Sequence, residues 1–156
     1  MLKPKYSLSD GGQFVIENYN QAPAFSSFFP GIAGVFGCPM WVFYANRGQC
    51  IASAGISDKN GSIIEFQPAN KAYRLIAQEG FRTFIKVNGV FYEPFNENSP
   101  YKQRMLILPD SLKLEEENTA LKIKVEVTYF TLPNATFPAL ARMLKITNLR
   151  PGKRSR

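Results

Sequence analysis

The chain has 156 residues, 45% of them hydrophobic, which is enough to enclose one ordinary core and fits a single domain or most of one. Its formal charge of +7 invites a nucleic-acid reading. However, Arg150, Lys153, Arg154 and Arg156 supply four of those charges with no acid among them, leaving +3 for residues 1–149, so the basic end reads as a solvated terminus rather than a recognition patch. The absence of any His excludes Ser-His-Asp triads, Cys-His dyads and most metal sites, so neither a cofactor nor a metal is expected.

Composition favours strands. Thirteen Phe and seven Tyr stand against one Trp, and aromatic and β-branched residues fit a pleated, half-buried surface. The opening Met1-Leu2-Lys3-Pro4-Lys5-Tyr6 carries charge but no following apolar run, so it does not read as a secretory signal. No apolar stretch has the length of a bilayer span. Cys38 and Cys50 are then expected as two free thiols in a reducing, cytoplasmic compartment.

In chain order, Phe14 to Tyr19 reads as a strand. Asn20 to Pro39 reads as a long loop punctuated by Pro23, Pro30, Gly31, Gly34 and Gly37, whose Phe25, Phe28, Phe29 and Phe36 imply burial. Within it, Gly31 to Gly37 lacks the Lys-Ser/Thr ending of a phosphate-binding loop, so its glycines are expected to supply unusual backbone angles while Phe36 packs. Trp41 to Tyr44 and Gln49 to Gly55 read as strands joined through Ala45-Asn46-Arg47-Gly48. Asp58 to Gly61 turns the chain into Ser62 to Gln67.

For Ala69 to Gln78 the signals conflict. Tyr73 and Ile76 fit a helix face, while Pro68 and Gly80 bracket the segment like a strand with its turns; an extended segment is expected. Phe81 to Val87 and Val90 to Phe95 flank Asn88-Gly89, the strongest short-range mark of a type I′ hairpin. Ser111 to Glu116 and Leu121 to Thr131 predict another hairpin across Glu117-Asn118-Thr119. In its second arm Leu121, Ile123, Val125, Val127 and Tyr129 alternate with Lys122, Lys124, Glu126 and Thr128, placing one face on a core and the other in water. Leu140 to Thr147 is a last strand, followed by the turn Asn148 to Gly152 with no strand to receive it. The expected fold is therefore all-β, an antiparallel β-sandwich of the supersandwich kind occupying residues 1–156, incomplete at its carboxy-terminal edge.

No catalytic residue is assigned. Glu17, Asp58, Glu65, Glu79, Glu93 and Asp110 are scattered singly, and Glu115 to Glu117 crowd at a predicted turn, where a solvated face is expected. Trp41, Tyr44, Phe66, Tyr73, Phe81 and Tyr92 can form an aromatic platform for a sugar or simply belong to the core. Arg47 and Arg82 lie beside them in sequence and can bind hydroxyls or oxyanions, or pair with Asp58 or Glu65. Trp41, Tyr44, Arg47, Phe81 and Arg82 are the candidates for carbohydrate binding or for an interface.

Taken together, the order from Pro30 to Tyr73 (PGIAGVFGCPMWVFYANRGQCIASAGISDKNGSIIEFQPANKAY), then Gly80 to Val87 (GFRTFIKV) and Leu132 to Asn148 (LPNATFPALARMLKITN), resembles the start of bacterial cellobiose-phosphorylase-type glycoside phosphorylases, above all the long ones acting on β-glucan oligosaccharides, such as 1,2-β-oligoglucan phosphorylases. The resemblance implies an amino-terminal β-sandwich ahead of a helical linker and an (α/α)₆ barrel. In that barrel an Asp acts as general acid and inorganic phosphate attacks with inversion. The barrel is absent from this chain, so none of its residues can be carried over. By the same resemblance the partners are a downstream catalytic domain, a second copy in a homodimer, and a β-glucan oligosaccharide only indirectly, with the Phe-rich loop and Arg47 nearest a neighbouring active site. The competing expectations are a free-standing carbohydrate-binding sandwich and, less favoured, a nucleic-acid-binding barrel with strongly salt-dependent affinity.

Overall fold

A computed structural model of the chain describes residues 2–150. Its strands are β1 (Lys5–Leu8), β2 (Phe14–Glu17), β3 (Ser26–Ala33), β4 (Cys38–Ala45), β5 (Ile51–Ile56) and β6 (Ser62–Ile64). After helix α1 (Ala69–Glu79) come β7 (Ile85–Val87), β8 (Val90–Tyr92), β9 (Lys102–Ile107), β10 (Ser111–Asn118), β11 (Ile123–Thr131) and β12 (Leu140–Asn148). A six-stranded antiparallel sheet in the order β1-β2-β9-β10-β11-β12 faces a four-stranded sheet in the order β3-β4-β5-β6, with β7 and β8 as a separate hairpin. The protein is an all-β sandwich.

Alternation builds the core. Ile123, Val125, Val127 and Tyr129 of β11, with Leu112 and Leu114 of β10 and Met105 of β9, meet Phe29, Met40, Val42, Tyr44 and Ala54 from the smaller sheet, all buried. The hairpin of β10 and β11 forms where the sequence predicts two strands, but it turns at Thr119 to Lys122 rather than across Glu117-Asn118-Thr119, with register from Ser111↔Phe130 to Asn118↔Ile123. The one at Asn88-Gly89 forms as the sequence predicts, and its φ values of 49° and 84° are those a type I′ turn requires.

Four further expectations are corrected. The segment Asn20 to Pro39 is not a loop throughout, because β3 runs through its centre and pairs with β4 from Ser26↔Ala45 to Ala33↔Cys38. Pro30 is tolerated there because β3 is an edge strand, where a missing N–H costs no ladder bond. Phe36 does not pack: it sits between Gly34 and Gly37, both at positive φ, and is 94% exposed.

Residues 69–79 form a helix rather than an extended segment. Ala72 and Ile76, four apart, are its buried face against β4 and β5. Pro68 stands just before the first turn, where its missing N–H is harmless, and Gly48 lets the helix approach closely, since a Cβ there would lie 3.1 Å from Ala77 Cα. Finally, Glu115 and Glu116 are not at a turn. Both lie inside β10 and are buried, while Glu117 is exposed.

Candidate functional site

The five candidate residues separate into three places. Tyr44 belongs to the core at 3% exposure, its ring 6.1 Å from that of Phe29, which leaves it no surface to offer a ligand. Trp41 lies on the outer face of the smaller sheet. Arg47, Phe81 and Arg82 gather around a cleft between the β4–β5 turn, the end of α1 and the β8–β9 connection.

That cleft holds about 200 Å³ and is lined among others by Gln49, Gln78, Phe81, Arg82, Glu93 and Asn98. Arg82 grips Glu93 with both arms of its fork, Nε donating to Oε1 at 2.6 Å and Nη2 to Oε2 at 2.9 Å. That grip holds the Glu93 carboxyl below its usual range. Arg47 at the rim donates to the carbonyls of Asn46 and Ala22 and lies 3.7 Å from Glu97. Neither arginine pairs with Asp58 or Glu65: the turns that carry those acids are on other parts of the small sheet, whereas the 93–97 segment folds back over both guanidinium groups.

Beneath the cleft, Phe81 packs 5.8 Å from Tyr129 and under the Arg142 guanidinium, also at 5.8 Å. Arg142 in turn donates to Gln49 Oε1 at 2.6 Å and to Thr83 Oγ1 at 2.5 Å, tying β12 to the floor. Sequence reading missed this role, because nothing local links position 142 to positions 49 and 83.

A second missed group is Glu116. It is fully buried on the core side of β10 and receives four donors that anchor the β8–β9 connection. The Tyr92 hydroxyl and Ser99 Oγ (3.1 Å) donate to Oε1, and the Phe95 N–H (2.8 Å) and Gln103 Nε2 (2.7 Å) to Oε2. Burial outweighs these bonds and raises its pKa. Glu116 continues the every-second-position row of Leu112 and Leu114, which was the signal, but the predicted turn masked it.

The outer face of the smaller sheet carries a row of rings. Phe28 and Phe43 are 4.8 Å apart, Phe43 and Phe66 6.0 Å, and Trp41 meets Phe66 edge-on at 6.1 Å. Trp41 Nε1 donates to the Asp58 carbonyl at 3.1 Å, and its indole lies across Gly55, where a Cβ would come within 2.5 Å of Trp41 Cζ2. Phe28, Ile32 and Phe66 are exposed on or beside this row.

Among the described residues no group of three or more His, Cys, Asp or Glu side chains is placed to hold a metal ion. No helix there is long and apolar enough to cross a membrane. The fold and cleft define an antiparallel β-sandwich with a polar, charge-balanced surface cleft and an aromatic outer face. Comparison with protein-family models, curated proteins and solved structures finds no match to this chain.

Proposed function

We propose that this chain is the non-catalytic β-sandwich of a glycoside phosphorylase that cleaves β-glucan oligosaccharides with inorganic phosphate to give glucose 1-phosphate, and that it supports the catalytic barrel and the dimer. The observation that carries the scaffold role is the aromatic outer face. Phe28 and Phe66 at 52% and 44% exposure, continuous with Trp41 and Phe43, form an apolar surface of the kind that marks an interaction site. The engagement of the buried and half-buried carboxylates agrees with this: Glu93, Glu115, Glu116 and Glu126 are each held by cations or several donors inside the fold. The phosphorylase assignment rests on the resemblance of Pro30 to Tyr73, Gly80 to Val87 and Leu132 to Asn148.

The test is phosphorolysis. The protein from the complete reading frame containing these residues should release glucose 1-phosphate from cello-, laminari- or sophoro-oligosaccharides, and the 156-residue chain should release none. A full-length product that acts on no β-glucan oligomer refutes the assignment.

A second reading, a free-standing carbohydrate-binding sandwich, is favoured by the cleft. Its Phe81 ring, the amides of Gln78 and Asn98 and the Arg82–Glu93 pair combine one apolar face with donors and acceptors at no net charge, the chemistry that receives a neutral polyol. Titration of the isolated chain with the same oligosaccharides tests it. Loss of binding in Phe81→Ala places the sugar in the cleft, a Trp41 fluorescence change places it on the outer face, and no response at millimolar sugar removes this reading.

A further inference from the structure

β12 is one of the two edge strands of the larger sheet among the described residues, the other being the four-residue β1. β12 is nine residues long and matches β11 position for position from Ile123↔Asn148 to Thr131↔Leu140 with no bulge. It has no proline, bulge or shortening to blunt it; its charged residues are Arg142, bonded inward to Gln49 and Thr83, and Lys145, the kind of edge charge that deters pairing with a like-charged strand. The far side of β12 therefore presents a straight row of backbone donors and acceptors.

The rows that cross the sheet specify what fits beside it. On the core side, Ile16, Met105, Leu114, Val127 and Leu144 stand opposite one another across five strands. The first four are buried, but Leu144 is 40% and Ile146 49% exposed, so the apolar row ends uncovered. On the outer side the neighbouring row is Glu17, Arg104, Glu115, Glu126 and Lys145. Lys113 and Lys124 bridge Glu115 and Glu126 at 2.6 to 3.4 Å, whereas Lys145 reaches Glu126 only at 3.7 Å and is 68% exposed.

The two glutamates are thus already held by two lysines at short range. Arg104 adds a further bond to Glu115 at 3.2 Å, and Lys145 is the surplus cation at the edge. Directly opposed opposite charges and apolar pairs stabilise a pair of strands, and directly opposed like charges destabilise it.

We propose that β12 accepts an antiparallel strand from another polypeptide, with an acidic residue opposite Lys145 and apolar residues opposite Leu144 and Ile146. A second copy of β12 does not meet this requirement, since Leu140–Asn148 contains no Asp or Glu. In a two-fold pairing Lys145 faces itself or an uncharged neighbour. The mode is strand addition, in which main-chain bonds supply affinity and alternate side chains supply specificity. It does not depend on the phosphorylase reading.

The experiment uses two blocked synthetic peptides that alternate valine with threonine, one carrying a central glutamate and the other a central lysine, titrated into the isotope-labelled full chain by NMR. The glutamate peptide should bind roughly 2- to 30-fold tighter and shift the amides of β12. Lys145→Glu, a change at an exposed side chain, should reverse the preference, and Leu144→Thr should weaken both peptides. Failure of both peptides to bind at millimolar concentration, equal binding of the two, or a preference unchanged by Lys145→Glu overturns the proposal. A concentration-dependent dimer whose formation shifts the β12 amides and that the glutamate peptide cannot dissociate also overturns it, since a second copy would then be the occupant.

Discussion

Glu116 offers a sharp test of how the fold is held, because its two oxygens face different kinds of donor. Oε1 receives two hydroxyls, from Tyr92 and Ser99, while Oε2 receives two N–H groups, from Phe95 and Gln103. In Glu116→Ala the two N–H groups lose their acceptor inside the core. A buried unsatisfied donor costs about 1–3 kcal/mol, so the pair amounts to about 4 kcal/mol, a large share of the roughly 5–15 kcal/mol typical of a whole domain.

At roughly 2–4 °C per kcal/mol for a chain of this size, the melting temperature should fall by about 12 °C. In Glu116→Gln the amide oxygen can take the place of Oε2, and the new NH₂ meets hydroxyls that can turn to accept. Its cost should stay within about 1 kcal/mol. Calorimetry of the three proteins decides the matter: equal destabilisation by Ala and Gln would mean that the charge, rather than the acceptor geometry, holds the β8–β9 connection. The pH dependence adds a second check. Burial raises the Glu116 pKa, so the folded state keeps a proton that the unfolded chain gives up, and stability from this group falls as pH rises through the raised value. Glu116→Gln should therefore gain on the parent as pH is raised above the ordinary carboxylate value of about 4.3.

Glu126 behaves in the opposite sense. Its hydrogen bond to Lys113 leads the effects that pull its pKa to about 2, so its contribution is present above the unfolded carboxylate pKa and is lost as pH falls from there through about 2. In urea titrations Lys113→Met should be less stable than the parent at neutral pH, with the gap closing by about pH 2; a gap independent of pH contradicts the pairing. Gly55→Ala should drive the Trp41 indole off β5, costing about 1–3 kcal/mol and shifting its emission to the red. An unchanged spectrum would show that the ring does not lie across Gly55. Ile76→Ala removes the buried anchor of α1 and should cost about 3 kcal/mol with loss of helical circular dichroism, whereas a neutral effect contradicts the packing of that helix on the sheet.

Much of the strand pattern was legible locally. The period of two in Ile123 to Tyr129 names a core face without reference to any partner, and Asn88-Gly89 names its turn because few residue pairs tolerate two positive φ angles. Around residues 69–79 local signals conflicted. Pro68 and Gly80 bracket helices and strands alike, and only packing of Ala72 and Ile76 on β4 and β5 selects the helix. β3 was hidden because its Pro30 and Gly31 read as loop, and only pairing with β4 makes an edge strand of them. Of the cleft, sequence singled out Arg47, Phe81 and Arg82, but the acidic partners it offered the two arginines, Asp58 and Glu65, are not the ones they meet, since ion pairing follows the path of the 93–97 segment in space.

Residue order alone determined that this chain is a β protein: alternating apolar side chains and turn residues act over a few neighbouring positions. The tertiary structure decided which faces meet, that Tyr44 is buried while Trp41 lies outward, that Glu116 becomes an interior acceptor, and that Arg142 reaches Gln49 and Thr83. Those outcomes depend on contacts between residues tens of positions apart, which no short window of sequence contains.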